Sequence, residues 1–256
     1  MMTKTKRAAI VVALAVGIAG LTAASPRGRY FVREVIENQR CCELPLPRAI
    51  AVAWQVVMQK VEYPSQIGQD KWVAEAMFPG VTDGYFLDIG SGHGRIGSNT
   101  LALEARGWKG ICVDPFPTAM EGRTCQMMKE VVFSEAGKVV QFHPHEGLGG
   151  IADTLGRWKD QAKEAPPVEL ITVTTGELLE RGHAPPFIHF LSLDIEGAEL
   201  EALRSIPFDK YRFGAMAIEH NDEEPKRTDI IKFLEERGYR RVHSYKQDDF
   251  FAPVTP

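Results

Sequence analysis

Positive charge is what this sequence is short of. Its 30 lysines and arginines are outnumbered by 34 aspartates and glutamates, and a formal net charge of -4 over 256 residues supplies no broad field for a phosphate backbone. Arg240 and Arg241 form too small a basic cluster to change that, so nucleic acid is not an expected partner. Cysteine is scarce as well. The four, at 41, 42, 112 and 125, have neither zinc-ligand spacing nor the density of a disulfide framework. Cys112 falls in a stretch that reads as a buried strand, so the domain is expected to keep its thiols reduced; modification or inter-chain pairing stays open for Cys41 and Cys42. His143 and His145 stand two apart but border Pro144 and a glycine-rich loop, the composition of a solvated turn, and no metal ligand is assigned to them. There is no internal repeat and no low-complexity tract. With 44% hydrophobic residues the chain can bury one substantial core and is short for two.

Long apolar runs are missing too, with one exception. Residues 8–24, AAIVVALAVGIAGLTAA, contain no charged or strongly polar side chain and follow Lys4, Lys6 and Arg7. The run is near the lower limit of about 17 residues for a spanning helix, and the small residues after it also suit a signal-peptide core. Residues 1–26 are expected to be a single-pass membrane anchor or, alternatively, a cleaved signal that leaves the domain secreted or luminal. Arg27, Arg29 and Arg33 balance the basic residues ahead of the run, so the side of the membrane stays open. Residues 27–64 read as a partly helical connector, in which the apolar stretch 49–61 packs on the domain or lies along a membrane surface. Residues 65–256 read as the catalytic domain. Nothing in the sequence sets the oligomeric state.

The informative chemistry is concentrated in residues 84–115, GYFLDIGSGHGRIGSNTLALEARGWKGICVDP. Tyr85, Phe86, Leu87 and Ile89 suit a central parallel strand, Gly90, Gly92 and Gly94 let a ligand approach the backbone, and Asp114 ends the next strand. That is the form of a nucleotide or nucleoside cradle. Glycine spacing alone does not choose the ligand, because Gly92, Gly94 and Gly97 also satisfy the dinucleotide pattern G-x-G-x-x-G with an acid about 20 residues later. Asp88 tilts the reading. A carboxylate inside the strand repels a pyrophosphate but attracts the ammonium and sulfonium of S-adenosylmethionine, and Asp114 then suits the ribose hydroxyls. Asp88, Gly90, Ser91, Gly92, Gly94 and Asp114 are the expected donor-binding residues, and an empty tight turn is the plain alternative. His93 either touches the methionine carboxylate or faces solvent; Trp108 either lines the adenine pocket or packs beneath the loop.

Strand patterns at 84–90, 109–114, 130–134, 139–143, 169–173, 187–194 and 214–220 alternate in part with helical patterns at 69–78, 96–106, 118–129, 149–163, 198–205 and 226–237. The alternation predicts an α/β fold with a mainly parallel sheet covered on both faces. Ala136-Gly137 predicts a hairpin between its flanking strands, and residues 239–251 predict a closing antiparallel strand. Residues 146–153, EGLGGIAD, read as a lid over substrate or as a plain connector.

A second block, FIHFLSLDIEGAELEAL at 187–203, runs an apolar strand into Asp194. Asp194 and Glu196 are two apart and so face one way, at the carboxyl end of the sheet where open α/β folds bind ligands. They read as a base, a substrate clamp or a divalent-metal site, while Glu196 and Glu199 also suit a helix N-terminus with no further role. A hydroxyl acceptor needs a base near the strand ends. His220, Glu219 and Asp194 are the candidates, His220 first because its ordinary pKa is near neutral.

FLDIGSGHG together with FLSLDIEGAELEAL, then AMAIEHN at 215–221 and LEERGYRRV at 234–242, resembles the FkbM family of S-adenosylmethionine-dependent methyltransferases. The likeness covers residues 65–253, and its more specific motif is the acid, acid, glycine, acid order of LDIEGAE. It implies a seven-stranded, Rossmann-like methyltransferase core and O-methylation of a hydroxyl on a sugar, glycan, lipid or other small molecule. SQIGQDKWV at 65–73 resembles the segment that leads into the family core, where Gln69 or Asp70 would close over the donor. The family commonly has alanine and asparagine after the first motif glycine; here Ser91, Gly92 and His93 stand there. Two other functions fit the residues less well: an NAD-dependent oxidoreductase, and a silent membrane-bound scaffold that keeps the fold.

Overall fold

The structure is a computed structural model that describes residues 62–145 and 147–255. The chain divides into two units, Met1–Tyr63 and Pro64–Pro256, and the architecture below is that of the second. The apolar run 8–24, the connector stretch 49–61 and Cys41 and Cys42 lie outside the described residues. Among the described residues no helix is long and apolar enough to cross a membrane.

The unit opens with helix α1 (Gln69–Lys71), which continues as a π-helical turn over Trp72–Met77. There follow β1 (Tyr85–Ile89), α2 (Leu101–Glu104), β2 (Lys109–Val113), β3 (Gln126–Met128), β4 (Val131–Val132), β5 (Val139–His143), β6 (Gly150–Ile151), α3 (Lys159–Ala162) and β7 (Val168–Val173). The second half holds α4 (Thr175–Arg181), β8 (Phe187–Leu193), α5 (Glu199–Arg204), β9 (Arg212–Glu219), α6 (Lys226–Glu235), β10 (Tyr239–Tyr245) and β11 (Asp248–Pro253).

Seven strands form the main sheet in the order β10-β11-β9-β8-β1-β2-β3. The run from β9 to β3 is parallel throughout, whereas β11 joins β9 antiparallel and β10 joins β11 antiparallel. The sheet is therefore mixed, and its expected single closing strand is a hairpin. Side chains alternate between the two faces of each strand. Leu87, Ile89, Ile111, Val113, Leu191, Leu193, Met216 and Ile218 pack with Leu178 and Leu179 of α4, Ala202 and Leu203 of α5, and Ile230 and Leu234 of α6. Phe86, Cys112, Phe190, Ala215 and Ala217 fall on the opposite face with Val73, Leu103 and Trp108. Helices cover both faces, as the alternation predicted. Asp88 shares the face of Phe86, one step nearer the carboxyl end of the sheet.

Four departures from the sequence reading have physical causes. A second sheet, ordered β4-β7-β5-β6, stands beside the first; the hairpin expected at Ala136-Gly137 does not form, because β7 inserts between β4 and β5 and pairs with both. The helix expected over 118–129 is broken by left-handed backbone at Ala119 (φ 52°) and Gly122 (φ 80°), and its end becomes β3. Helix α4 was not anticipated, although Thr174 and Glu177 form a capping box, each side chain accepting from the other's backbone N–H; Gly176 in the first turn masked the pattern. Finally, Cys112 and Cys125 form a disulfide with Cα atoms 5.8 Å apart, which overturns the expectation of reduced thiols. Parallel pairing of β2 with β3 sets Cys112 beside Met127, and that register, not cysteine spacing, brings the sulfurs together.

The capping box is testable in isolation. Thr174→Ala is expected to lower stability by about 1 kcal/mol, measured by urea denaturation, with an unchanged m-value.

Candidate active site

The turn after β1 decides where the cleft opens. Gly90 and Gly92 both adopt left-handed backbone, with φ of 86° and 45°. The Gly90 N–H donates to the Val113 carbonyl at 2.8 Å, which draws the turn onto β2, and a Cβ on Gly90 would collide with the Asp194 carbonyl oxygen. Torsion and space both demand glycine there. Asp114, beyond the end of β2, accepts the Gly92 N–H at 3.0 Å on one carboxylate oxygen and the Phe116 N–H at 2.7 Å on the other. Burial raises its pKa and these two bonds oppose the rise. A carboxylate has about four lone-pair sites, so Asp114 can order the loop and still accept from a ligand.

A cleft of about 290 Å³ opens over this turn, bounded among others by Asp88, Ser91, Asp114, Phe116, Asp194 and Glu196. The two acids expected to share a cavity, Asp88 and Asp114, do share it. Next to it lies an apolar recess of about 40 Å³ between Val113, Val131, Val132, Phe142 and Ile151, with Asp114 and Asp194 at its edge. Asp88 is 2% exposed and accepts from the Thr100 hydroxyl at 2.6 Å; burial raises its pKa, against the pull of Thr100 and Arg123.

The far wall comes from the ends of β8 and β9. Asp194, Glu196 and Glu219 place carboxylate oxygens within 4.8 Å of one another. The Asn221 amide bridges two of them, donating to Glu196 at 3.0 Å and to Glu219 at 2.8 Å. Burial first, and mutual repulsion second, push Asp194 up to about 7, Glu196 to about 8 and Glu219 to about 12. Glu219 thus holds its proton most tightly of the three, and it and Asp194 are hydrogen-bonded to each other. Glu199 has a different task. Its Oε1 accepts the N–H groups of Ile195 (3.1 Å) and Gly197 (3.0 Å), and its Oε2 lies 3.3 Å from Lys226 Nζ, so it builds the turn that presents Glu196.

His220, the first candidate for a base, stands outside the cleft lining. Its side chain is 1% exposed, Nδ1 accepts the Asp222 N–H at 2.9 Å, and Nε2 lies 3.7 Å from Asp249 Oδ1. Just past the end of β9 the His220 N–H pairs with the Gln247 carbonyl and its ring falls beside Asp249, whereas left-handed backbone at Asn221 (φ 52°) brings the next amide back onto Glu219. Gln69 donates to Asp248 at 2.8 Å and Asp70 holds Ser65, so both brace the leading segment and neither lines the cleft; Gln66 does. His93 lines the cleft, with Nδ1 accepting the N–H groups of Arg95 and Ile96. Trp108 is buried, donates to the Val81 carbonyl and packs against Gly84 and Phe78 at the start of β1, so it neither lines the cleft nor lies beneath the glycine turn. His143 points its Nδ1 at the Ala165 carbonyl, while His145, Gly147 and Gly149 border the cleft.

The sequence reading missed Arg123. Its guanidinium pairs with Glu104 at 2.6 Å, donates to the Gly94 carbonyl at 2.9 Å and the Ser98 hydroxyl at 3.1 Å, and reaches the Thr100 hydroxyl at 2.8 Å, which in turn binds Asp88. One buried cation thereby ties the glycine loop to the cleft acid. No local pattern announces it, because its partners are scattered over residues 94 to 104.

A family model, the methyltransferase FkbM domain, matches residues 88–241, more than half of the chain. The chain belongs to the FkbM methyltransferase family. This FkbM membership decides against a dinucleotide-dependent oxidoreductase, as Asp88 had suggested, and the family's usual methyl donor is S-adenosylmethionine. The residues fit that group: Asp88 and Asp114 face one cavity, and the Ser91 hydroxyl and Asn99 Oδ1, both lining it, are buried without a hydrogen-bond partner. No curated protein matches the chain. Among solved structures, one described as an RNA methyltransferase from Pyrococcus horikoshii is 13% identical, with 100% of this chain and 98% of that chain covered and a TM-score of 0.34, a likeness that carries no argument.

The acid cluster of this FkbM domain sets a pH dependence. Asp194 and Glu196 hold protons in the fold that the unfolded chain, with ordinary values of 3.8 and 4.5, has already released. Their contribution to stability is full below about pH 4 and is lost as pH rises through about 7 and about 8. The melting temperature is expected to fall across that window, and Glu196→Gln to make the fall shallower, measured by calorimetry over a pH series.

Proposed function

We propose that this FkbM protein binds S-adenosylmethionine in the cleft and methylates a hydroxyl oxygen of a sugar, glycan, lipid or other small molecule. The observation that carries the reading is the convergence of Asp88, Asp114, Asp194 and Glu196 on one cleft. Asp88 suits the cationic end of the donor and Asp114 its ribose, while the apolar recess beside Asp114 suits a flat base. When bound, the donor supplies an electrophilic methyl group.

The chain's own residues have the remaining tasks: to align the acceptor, exclude water and hold the departing proton. Asp194 is our candidate general base. Its pKa of about 7 is matched to a near-neutral proton transfer, and the protonated Glu219 beside it keeps the carboxylate oriented. Among the described residues that line the cleft none is lysine or arginine, which favours an uncharged acceptor over a phosphorylated or carboxylated one. Membrane attachment through residues 8–24 belongs to the same proposal and is supported by the sequence run alone.

Calorimetric titration of the full chain with S-adenosylhomocysteine tests the donor assignment: binding is expected, and its absence from folded protein counts against the reading. Asp114→Ala should weaken that binding by about tenfold or more, the loss of charge-assisted hydrogen bonds. Asp194→Asn should leave binding within about threefold and cut methyl transfer to a panel of neutral glycans by about 100-fold.

A further inference from the structure

We propose that the Cys112–Cys125 bridge is a thiol-exchange site through which the redox state of the surroundings controls donor binding. The inference rests on the donor reading above and goes beyond it, because nothing in methyl transfer requires a disulfide.

The two sulfurs have unequal surroundings. Cys112 is 0% exposed within the core on the Phe86 face of the sheet, whereas Cys125 is only partly buried, in the segment leading to β3. Arg123 Nη2 lies 3.4 Å from Cys112 Sγ. The Glu104 carboxylate, paired with the same guanidinium, lies within 4.8 Å of both sulfurs, so Arg123 and Glu104 act on a departing thiolate with opposite sign and exposure decides which sulfur is attacked. An external thiolate therefore attacks at Cys125, the less buried of the two residues, and Cys112 leaves with its sulfur 3.4 Å from Arg123 Nη2. A second thiol of the reductant then resolves the mixed disulfide. One S–S bond breaks in the protein and one forms in the dithiol, two electrons pass to the cysteines, and two protons complete the pair of thiols.

Opening the bridge has a consequence at the cleft. Opening it removes the covalent tie between β2 and the segment before β3, and two separate thiols need more room than a bonded pair. Cys112 sits on a packed parallel strand and has nowhere to retreat, so the displacement falls on Cys125 and the chain just before it. Arg123 is two residues away. The same segment is clamped by Glu104, whose Oε1 accepts the N–H groups of Thr124 and Cys125 and whose Oε2 pairs with Arg123. Any shift there disturbs the bonds from Arg123 to Gly94, Ser98 and Thr100, and through Thr100 to Asp88. The oxidised protein holds the cradle; the reduced protein loosens it.

The test uses the full chain, titrated calorimetrically with S-adenosylhomocysteine before and after dithiothreitol, with alkylation and peptide mass spectrometry to score the bridge. The bridge is expected to open and the dissociation constant to rise by about tenfold, a typical coupling between sites. Amide exchange over residues 92–100 should quicken while the far-ultraviolet spectrum stays native, and oxidised glutathione should reverse both changes. The response should persist in Cys41→Ala/Cys42→Ala and vanish in Cys112→Ala/Cys125→Ala, which should bind weakly with or without reductant. An open bridge with unchanged affinity overturns the proposal, as does a bridge that dithiothreitol does not open or a loss of binding through global unfolding. No binding even to the oxidised protein instead overturns the donor reading on which it rests.

Discussion

Four carboxylates are drawn into one cleft without a lysine or arginine among the described residues that line it, and the rest of the site follows from how that charge is carried. Asp88 and Asp114 are held by hydrogen bonds from Thr100, Gly92 and Phe116. Asp194 and Glu196 are held differently, by proton retention and by the Asn221 amide. In the proposed function the first pair meets the cationic donor and the second takes up the acceptor's proton. Burial creates both dispositions, since it penalises an isolated charge and rewards whatever neutralises it.

Backbone geometry is the means. The glycine turn after β1 can cross so close to Asp194 only without a Cβ, and the left-handed conformations at Glu196 (φ 55°) and Asn221 (φ 52°) bend two strand ends toward the same point. Glu199 and Arg123 are the supports beneath these turns. Each uses its charge on backbone or hydroxyl groups that shape the site, and neither lines the cleft. Support of this kind is what holds a constellation of charges in place before any ligand arrives.

Much of this was legible in the residue order. The strand, glycine turn and terminal aspartate of residues 84–114 are local, because one strand and one turn carry the whole pattern. The LDIEGAE block was legible for the same reason. Less visible were features made by pairing between distant segments: the second sheet, the terminal hairpin, the disulfide and the hub at Arg123. The error at His220 shows the mechanism of failure. Its residue type suited the chemistry, but the end of β9 carries its ring toward Asp249, while a left-handed turn brings Asn221 back onto Glu219.

The sequence by itself determined the family, the glycine turn and the acids at the strand ends, because those depend on residues adjacent in the chain. Only the tertiary structure decided which carboxylates share one cleft, which of them keeps its proton, and which cysteines meet. Those outcomes depend on strand register and on burial, and both arise from contacts between segments that no local pattern contains.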